Sequence, residues 1–337
     1  MRTKIKKMLP QKAIHSLKRM KTKKQLNDLY QYDKRRFEDS AYGIREELTE
    51  NNLRSKITFH YHAIEKGLSN ADIRLGFGKA AFEQLFFSMD KFIEMGYSTE
   101  DERFQTAISV IHKYVDMHKK YNHEVNSVED KLRQYSKYLL KDNMDLGGYL
   151  SFTKDKLPEF SSLTFESLAK ERFSVREYSE EEVNQGDVMA AIQIATESPS
   201  VCNRQSWKVH YLKNQRLIND VLDLQGGFRA NGKNLKDLIL VTCDTQYMNG
   251  PHERNQAYID GGLFAMSLLY GLESKGLATC TLNTNFTIEK DQKMRKLIGL
   301  SASENFIAFI TVGNYPKEFK VAKSPKDPAT IITNVIV

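Results

Sequence analysis

At about residue 150 the hydrophobic pattern of this chain changes period, and that change limits the possible folds more than any other feature. Before it, apolar residues recur three and four apart. Phe82, Leu85, Phe86, Met89, Phe92 and Ile93 make one such series; Phe104, Ala107, Ile108, Ile111, Tyr114 and Val115 make a second. Spacing at i, i+3, i+4 and i+7 gives a helix one apolar face, so both series predict helices that pack against each other. Gly96 stops the first, and Ser98-Thr99-Glu100-Asp101 offers capping side chains to the second. From residue 163 helical patterns alternate with short β-rich runs at 207–212, 237–243, 278–282 and 306–312. Helices are expected between them at about 180–197, 214–224, 254–275 and 288–298, and the tail Thr330 to Val337 reads as extended. Gly147-Gly148 and Pro158 carry turn chemistry. The expected organisation is a basic segment 1–24, a helical domain 25–145, a linker 146–162 and an α+β domain 163–337.

With 337 residues, 40% hydrophobic, the chain can supply two cores. No apolar run reaches the roughly 18–20 residues of a membrane-spanning helix. The start lacks the apolar stretch and small-residue site of a secretory leader. Cys202, Cys243 and Cys280 are far apart and odd in number, which reads as free thiols in a reducing, cytoplasmic compartment. No Cys/His spacing points to a metal. The net charge of +7 is concentrated: residues 1–24 hold ten Lys/Arg and no acid, with Ile5, Met8, Leu9, Ile14, Leu17 and Met20 interleaved and Pro10 interrupting. Such a segment is either a solvated terminus or a peripheral seat on an anionic membrane. No stacking aromatics accompany the charge, so nucleic acid is not expected.

Two strings carry the chemistry. In Arg172-Phe173-Ser174-Val175-Arg176, two guanidinium groups flank a hydroxyl, expected just before a helix, and forked donors of that kind suit a phosphate. The other is Pro199-Ser200-Val201-Cys202-Asn203-Arg204-Gln205-Ser206-Trp207. In this order they resemble the two flavin-binding signatures of the nitroreductase family, Arg-x-Ser-x-Arg/Lys and Pro-Ser-x-x-Asn-x-Gln-Pro-Trp. Arg172, Ser174 and Arg176 match the first, with Phe173 between them. Pro199, Ser200, Asn203, Gln205 and Trp207 match the second, while Ser206 stands where Pro is usual. Asp260-Gly261-Gly262 resembles the family's Gly-rich central helix. Lys275 to Thr284 resembles its Gly-Leu-Gly-Thr-Cys segment, after which residues face the flavin ring; here these are Leu282, Asn283 and Thr284, with Asn where Glu-Gly is commoner. Ile310 to Pro316 resembles the closing strand, followed by basic residues that reach the phosphate, for which Lys323 and Lys326 are the candidates. Asn231 is the candidate for the pyrimidine edge.

The resemblance implies a nitroreductase-like mixed sheet flanked by helices, holding FMN. It implies a homodimer, because the second motif reaches the partner's flavin. NADH or NADPH would be the electron donor and a small organic molecule the acceptor, in ping-pong hydride transfer through flavin N5. The flavin carries that chemistry, so no catalytic side chain is expected. Two other readings stay open: a flavin oxidase or dehydrogenase acting on a biosynthetic, polysaccharide-related intermediate, and an interaction protein that has lost its flavin. No Gly-x-Gly-x-x-Gly follows a strand, so a separate dinucleotide domain is not expected.

In the first half, His60-Tyr61-His62-Ala63-Ile64-Glu65 suggests either a metal pair or a buried polar cluster packing the two halves together. The i, i+2 spacing of the histidines puts them on different faces of a helix, which disfavours the metal. The string is similar to one in nitroreductase-like proteins with surface-polysaccharide functions. The first 150 residues are expected to lie against the flavin domain, to narrow access for the acceptor, and to be dispensable for flavin binding.

Overall fold

The structure is a computed structural model that describes residues 10–44, 47–228 and 234–336. Five helices come first: α1 Gln11–Ser40, α2 Glu50–Leu68, α3 Lys79–Glu94, α4 Glu102–Lys120 and α5 Asn126–Ser136. Helix α4 starts where Asp101 accepts hydrogen bonds from the backbone N–H groups of Arg103 and Phe104, capping two otherwise unpaired donors. Its apolar residues meet Leu53, Ile57 and Ile64 of α2, Leu85, Met89 and Phe92 of α3 and Tyr135 of α5 in one core. The Phe92 and Phe104 rings stack there with centroids 5.7 Å apart.

Helix α1 departs from the expected division. It runs unbroken across residue 24, begins directly after Pro10, and buries no side chain. It docks instead on the second half, where Arg254 Nε and Nη2 donate to the two carboxylate oxygens of Asp33 at 2.7 and 2.8 Å. The helical core therefore excludes residues 25–40.

The second half contains α6 Phe165–Glu171, α7 Gln185–Ala195, β2 Trp207–Leu212, α8 Gln215–Gln225, β3 Asp237–Asp244, α9 Gln256–Ser274, β4 Leu277–Leu282, α10 Ile288–Ile298 and β5 Glu304–Asn314. The four strands form a sheet in the order β2-β3-β5-β4, every neighbour antiparallel. One parallel bridge, Ser174 to Thr279, adds the segment after α6 to its edge. Strand β3 is buried along its whole length because helices cover both faces. Ile239 and Val241 face Val188 and Ala191 of α7 and Phe264 and Leu268 of α9. Leu238 and Leu240 face Ile218 and Val221 of α8 and Met294 of α10. The glycines of α9 follow from this packing. A Cβ on Gly261 would lie 2.5 Å from Ile307, and one on Gly271 would lie 2.8 Å from the Ala191 carbonyl oxygen; Gly262 faces open space.

The expected linker is structured. Within 146–162, β1 Tyr149–Thr153 pairs antiparallel with β6 Glu318–Ala322. Phe152 packs against Phe173 and Phe319 at 5.4 Å each, and burying these rings is what fixes the segment. Gly147 is not a hinge: a Cβ there would lie 2.4 Å from Val110 of α4. The tail also departs from expectation, since Ala329–Ile332 is a single helical turn.

Candidate functional site

Helix α6 ends at Glu171, and the chain then runs extended to Tyr178, its Val175 N–H donating to the Thr279 carbonyl of β4 at 2.8 Å. The arginine motif thus follows a helix instead of preceding one. An extended segment sends alternate side chains to opposite sides. Val175 enters the core, and Arg172, Ser174 and Arg176 share the other face. The spacing of the motif is the two-residue period of a strand.

That face opens into a cavity of about 920 Å³. Arg172, Phe173, Ser174 and Arg176 line one side; Met266 and Tyr270 of α9 supply apolar wall; Lys323, Ser324, Pro325 and Lys326 close another side. Thr58, Tyr61 and His62 of α2 complete it. Six of the residues expected to hold a cofactor are brought together here. Among the described residues Arg172, Arg176 and Lys326 have no carboxylate within 4 Å, whereas Lys323 is held by Asp145 at 3.2 Å. Lys326 is therefore the freer of the two lysines. Burial pushes the Cys280 thiol up, an effect Arg176 partly offsets, so behind Ser174 it remains a neutral, inert group.

The second motif stands apart from the cavity, on the loop between α7 and β2. Cys202, Asn203 and Gln205 all have φ near +50°, a region non-glycine residues rarely adopt. Three contacts hold the loop there. Ser200 Oγ accepts from the Gln205 N–H at 2.9 Å, the Val201 N–H donates to the Asp260 carboxylate at 3.3 Å, and Arg204 pairs with Glu253 at 2.9 Å. Pro199, Asn203 and Gln205 are exposed, and Asn203 Oδ1 accepts from Gln205 Nε2 at 3.0 Å. Trp207 stacks on Phe264 with centroids 5.0 Å apart.

A third group lies at the end of β4. Thr279 is the residue beside Ser174, so Asn283, four residues on, is about 13 Å farther along the strand. The Leu282 side chain is buried in the core beside the sheet. Asn283 Oδ1 accepts from the Asn285 N–H at 3.2 Å, and Thr284 Oγ1 donates to the Ile307 carbonyl at 3.3 Å. Asn231 lies outside the described residues.

Sequence reasoning missed two things. It took Asp260 only as part of a glycine motif, whereas it anchors the 199–207 loop. It left Tyr61 and His62 outside the site. The spacing of Thr58, Tyr61, His62 and Glu65 on one helix face was the available signal.

The family model described as the nitroreductase family matches residues 169–239, which holds both motifs. Residues 169–239 belong to that family. Solved structures resemble this chain over about half of its length. A nitroreductase family protein of Streptococcus pneumoniae TIGR4 is 22% identical and covers 51% of this chain and 100% of its own, with a TM-score of 0.44. One from Clostridium difficile 630 is 22% identical over 51% of this chain and 98% of its own, at 0.43. A nitroreductase with bound FMN from Desulfitobacterium hafniense DCB-2 is 18% identical over 54% of this chain and 100% of its own, at 0.41. No curated protein matches the chain. The family match over this segment supports an oxidoreductase.

Proposed function

We propose that this chain is an FMN-dependent oxidoreductase that takes electrons from NADH or NADPH and delivers them to a small organic acceptor. One observation carries the reading: Arg172, Ser174 and Arg176 project together into a cavity that also holds Lys326 and contains no carboxylate partner for them among the described residues. Unpaired cations around an aromatic-lined space suit a flat ring bearing a phosphate. Arg172, Ser174 and Lys326 would take the phosphate, and Phe173, Met266 and Tyr270 would cover apolar surface. FMN, when bound, would supply the redox chemistry of a ping-pong exchange between donor and acceptor. The protein's residues would bind, orient and exclude water, and Arg176 in the cavity wall would offer positive charge to a reduced, negatively charged ring.

The reading includes a homodimer. Ile259, Leu263 and Met266 form an exposed apolar stripe at i, i+4 and i+7 on α9, whose opposite face is buried against the sheet. The stripe runs from the anchor of the 199–205 loop to the cavity wall, so a second copy covering it would bring that loop to a site. The three unpaired cysteines support a cytoplasmic setting. No helix among the described residues is long and apolar enough to cross a membrane. The exposed basic part of α1, residues 11–24, is the surface offered to an anionic membrane.

The test is direct. Purified protein should be yellow and oxidise NADH or NADPH with menadione as acceptor. Arg172→Ala and Arg176→Ala should each weaken FMN binding roughly ten- to hundred-fold, the loss of a hydrogen bond to a charged group. Full flavin occupancy in both variants would refute the assignment.

A further inference from the structure

Helix α2 belongs to the first half, yet it forms part of the cavity wall. Its Glu65 is fully buried. Glu65 Oε1 accepts from the Gly148 N–H at 2.9 Å and Oε2 from the Ser324 N–H at 3.3 Å. His62 Nδ1 lies 3.3 Å from both Glu65 Oε2 and Ser324 Oγ. Its Nε2 has no partner among the described residues, and the ring lines the cavity. Ser324 sits at φ +46°, so it needs such restraints to stay in place.

The other ties of this loop point the same way. The Lys323 N–H donates to the Gly148 carbonyl, the Lys323 ammonium meets Asp145, and Asp327 pairs with Arg103 of α4. Among the described residues, every hydrogen bond and ion pair made by 323–327 goes to the helical half or to residues 145–148. The loop that carries Lys326 is therefore placed by residues outside the nitroreductase-family segment.

We propose that α2 completes the phosphate end of the site, with His62 as a ligand of the phosphate and Glu65 as the positioning residue that holds the 323–326 loop over it. This rests on the FMN reading. It reverses the expectation that the first 150 residues are dispensable for flavin. A phosphate bound there receives donors from both halves, so the cofactor fastens one half to the other.

Riboflavin, which is FMN without the phosphate, separates the possibilities. Full-length protein stripped of flavin is titrated with FMN and with riboflavin, following quenching of flavin fluorescence. Wild type should prefer FMN. His62→Ala should lower FMN affinity roughly ten-fold and leave riboflavin affinity unchanged. Glu65→Gln, which keeps the shape but cannot accept at both positions, should shrink the same FMN-to-riboflavin ratio, with the circular dichroism spectrum unchanged. A purely structural role for either residue would move both ligands together or neither, and that result overturns the proposal. Should Glu65→Gln fail to fold, the His62→Ala ratio decides alone. Arg172→Ala is the control: if it too leaves FMN binding unchanged, the flavin reading itself fails, whereas a weakened Arg172→Ala beside an unchanged His62→Ala sinks only the role of α2.

Discussion

Glu65 in the helical half and Glu273 in the sheet half are both fully buried, but their surroundings differ. Both oxygens of Glu65 accept hydrogen bonds, and the backbone donors lie across the seam between the halves. Glu273 accepts one, from the Tyr315 hydroxyl at 2.8 Å; its other oxygen has no partner. Burial pushes the Glu273 carboxyl up to about 7. A buried carboxylate is tolerated in proportion to the donors that meet it. The seam is thus finished to a higher standard than the interior of the sheet half, and each half is incomplete where it faces the other.

Separating the halves should produce the largest effect. Residues 47–145 hold a core of their own, so this fragment should keep its helical signal and melt cooperatively. Residues 163–337 lack β1, Glu65 and Arg103, and should retain no measurable FMN. A 163–337 fragment that binds FMN as tightly as the full chain would break the comparison.

Glu273 offers a smaller, pH-dependent effect. Its folded value of about 7 lies above the ordinary 4.5. Between those values the folded state holds a proton that the unfolded state has released. Stability should therefore fall as pH rises through that window, by up to about 3 kcal/mol, and level off above it. Glu273→Gln should remove that part of the slope. Urea unfolding at pH 5 and pH 8 checks it, and identical slopes in the two proteins would count against a raised carboxyl.

The smallest effect belongs to α1, which docks on the second half through a partly buried ion pair. Asp33→Asn should leave the main unfolding transition where it is and speed tryptic cleavage near Lys34, Arg35 and Arg36. Unchanged cleavage would mean that other contacts, such as Gln25 with His252 at 2.8 Å, hold the helix.

What was legible in the sequence is what each segment does by itself. The helices at 79–94 and 102–120 announced themselves through a single apolar face. The arginine motif was readable because its spacing is the strand period and its own side chains form the wall. Strand β1 was hidden by its neighbours: Gly147-Gly148 and Pro158 look like loop chemistry, yet Gly147 is there because Val110 leaves no room. The i, i+3 pair His62 and Glu65 was visible, but Ser324 lies 262 residues from His62 and nothing near it marks the contact. Gly261 likewise answers to Ile307 on another element. Long-range partners leave no local pattern.

The 259-residue separation of Glu65 and Ser324 also sets an order in time. At about 5–20 residues per second, the helical half emerges roughly 13–50 s before the segment that covers it. During that interval Glu65 and the pairing edge of β1 are bare to water. Their late partners, β6 and the loop after it, are drawn in by an acceptor and an edge that are already waiting. The wall of the cavity is therefore laid down first by the oldest part of the nascent chain, and the segment bearing Lys326 is the piece that shuts it.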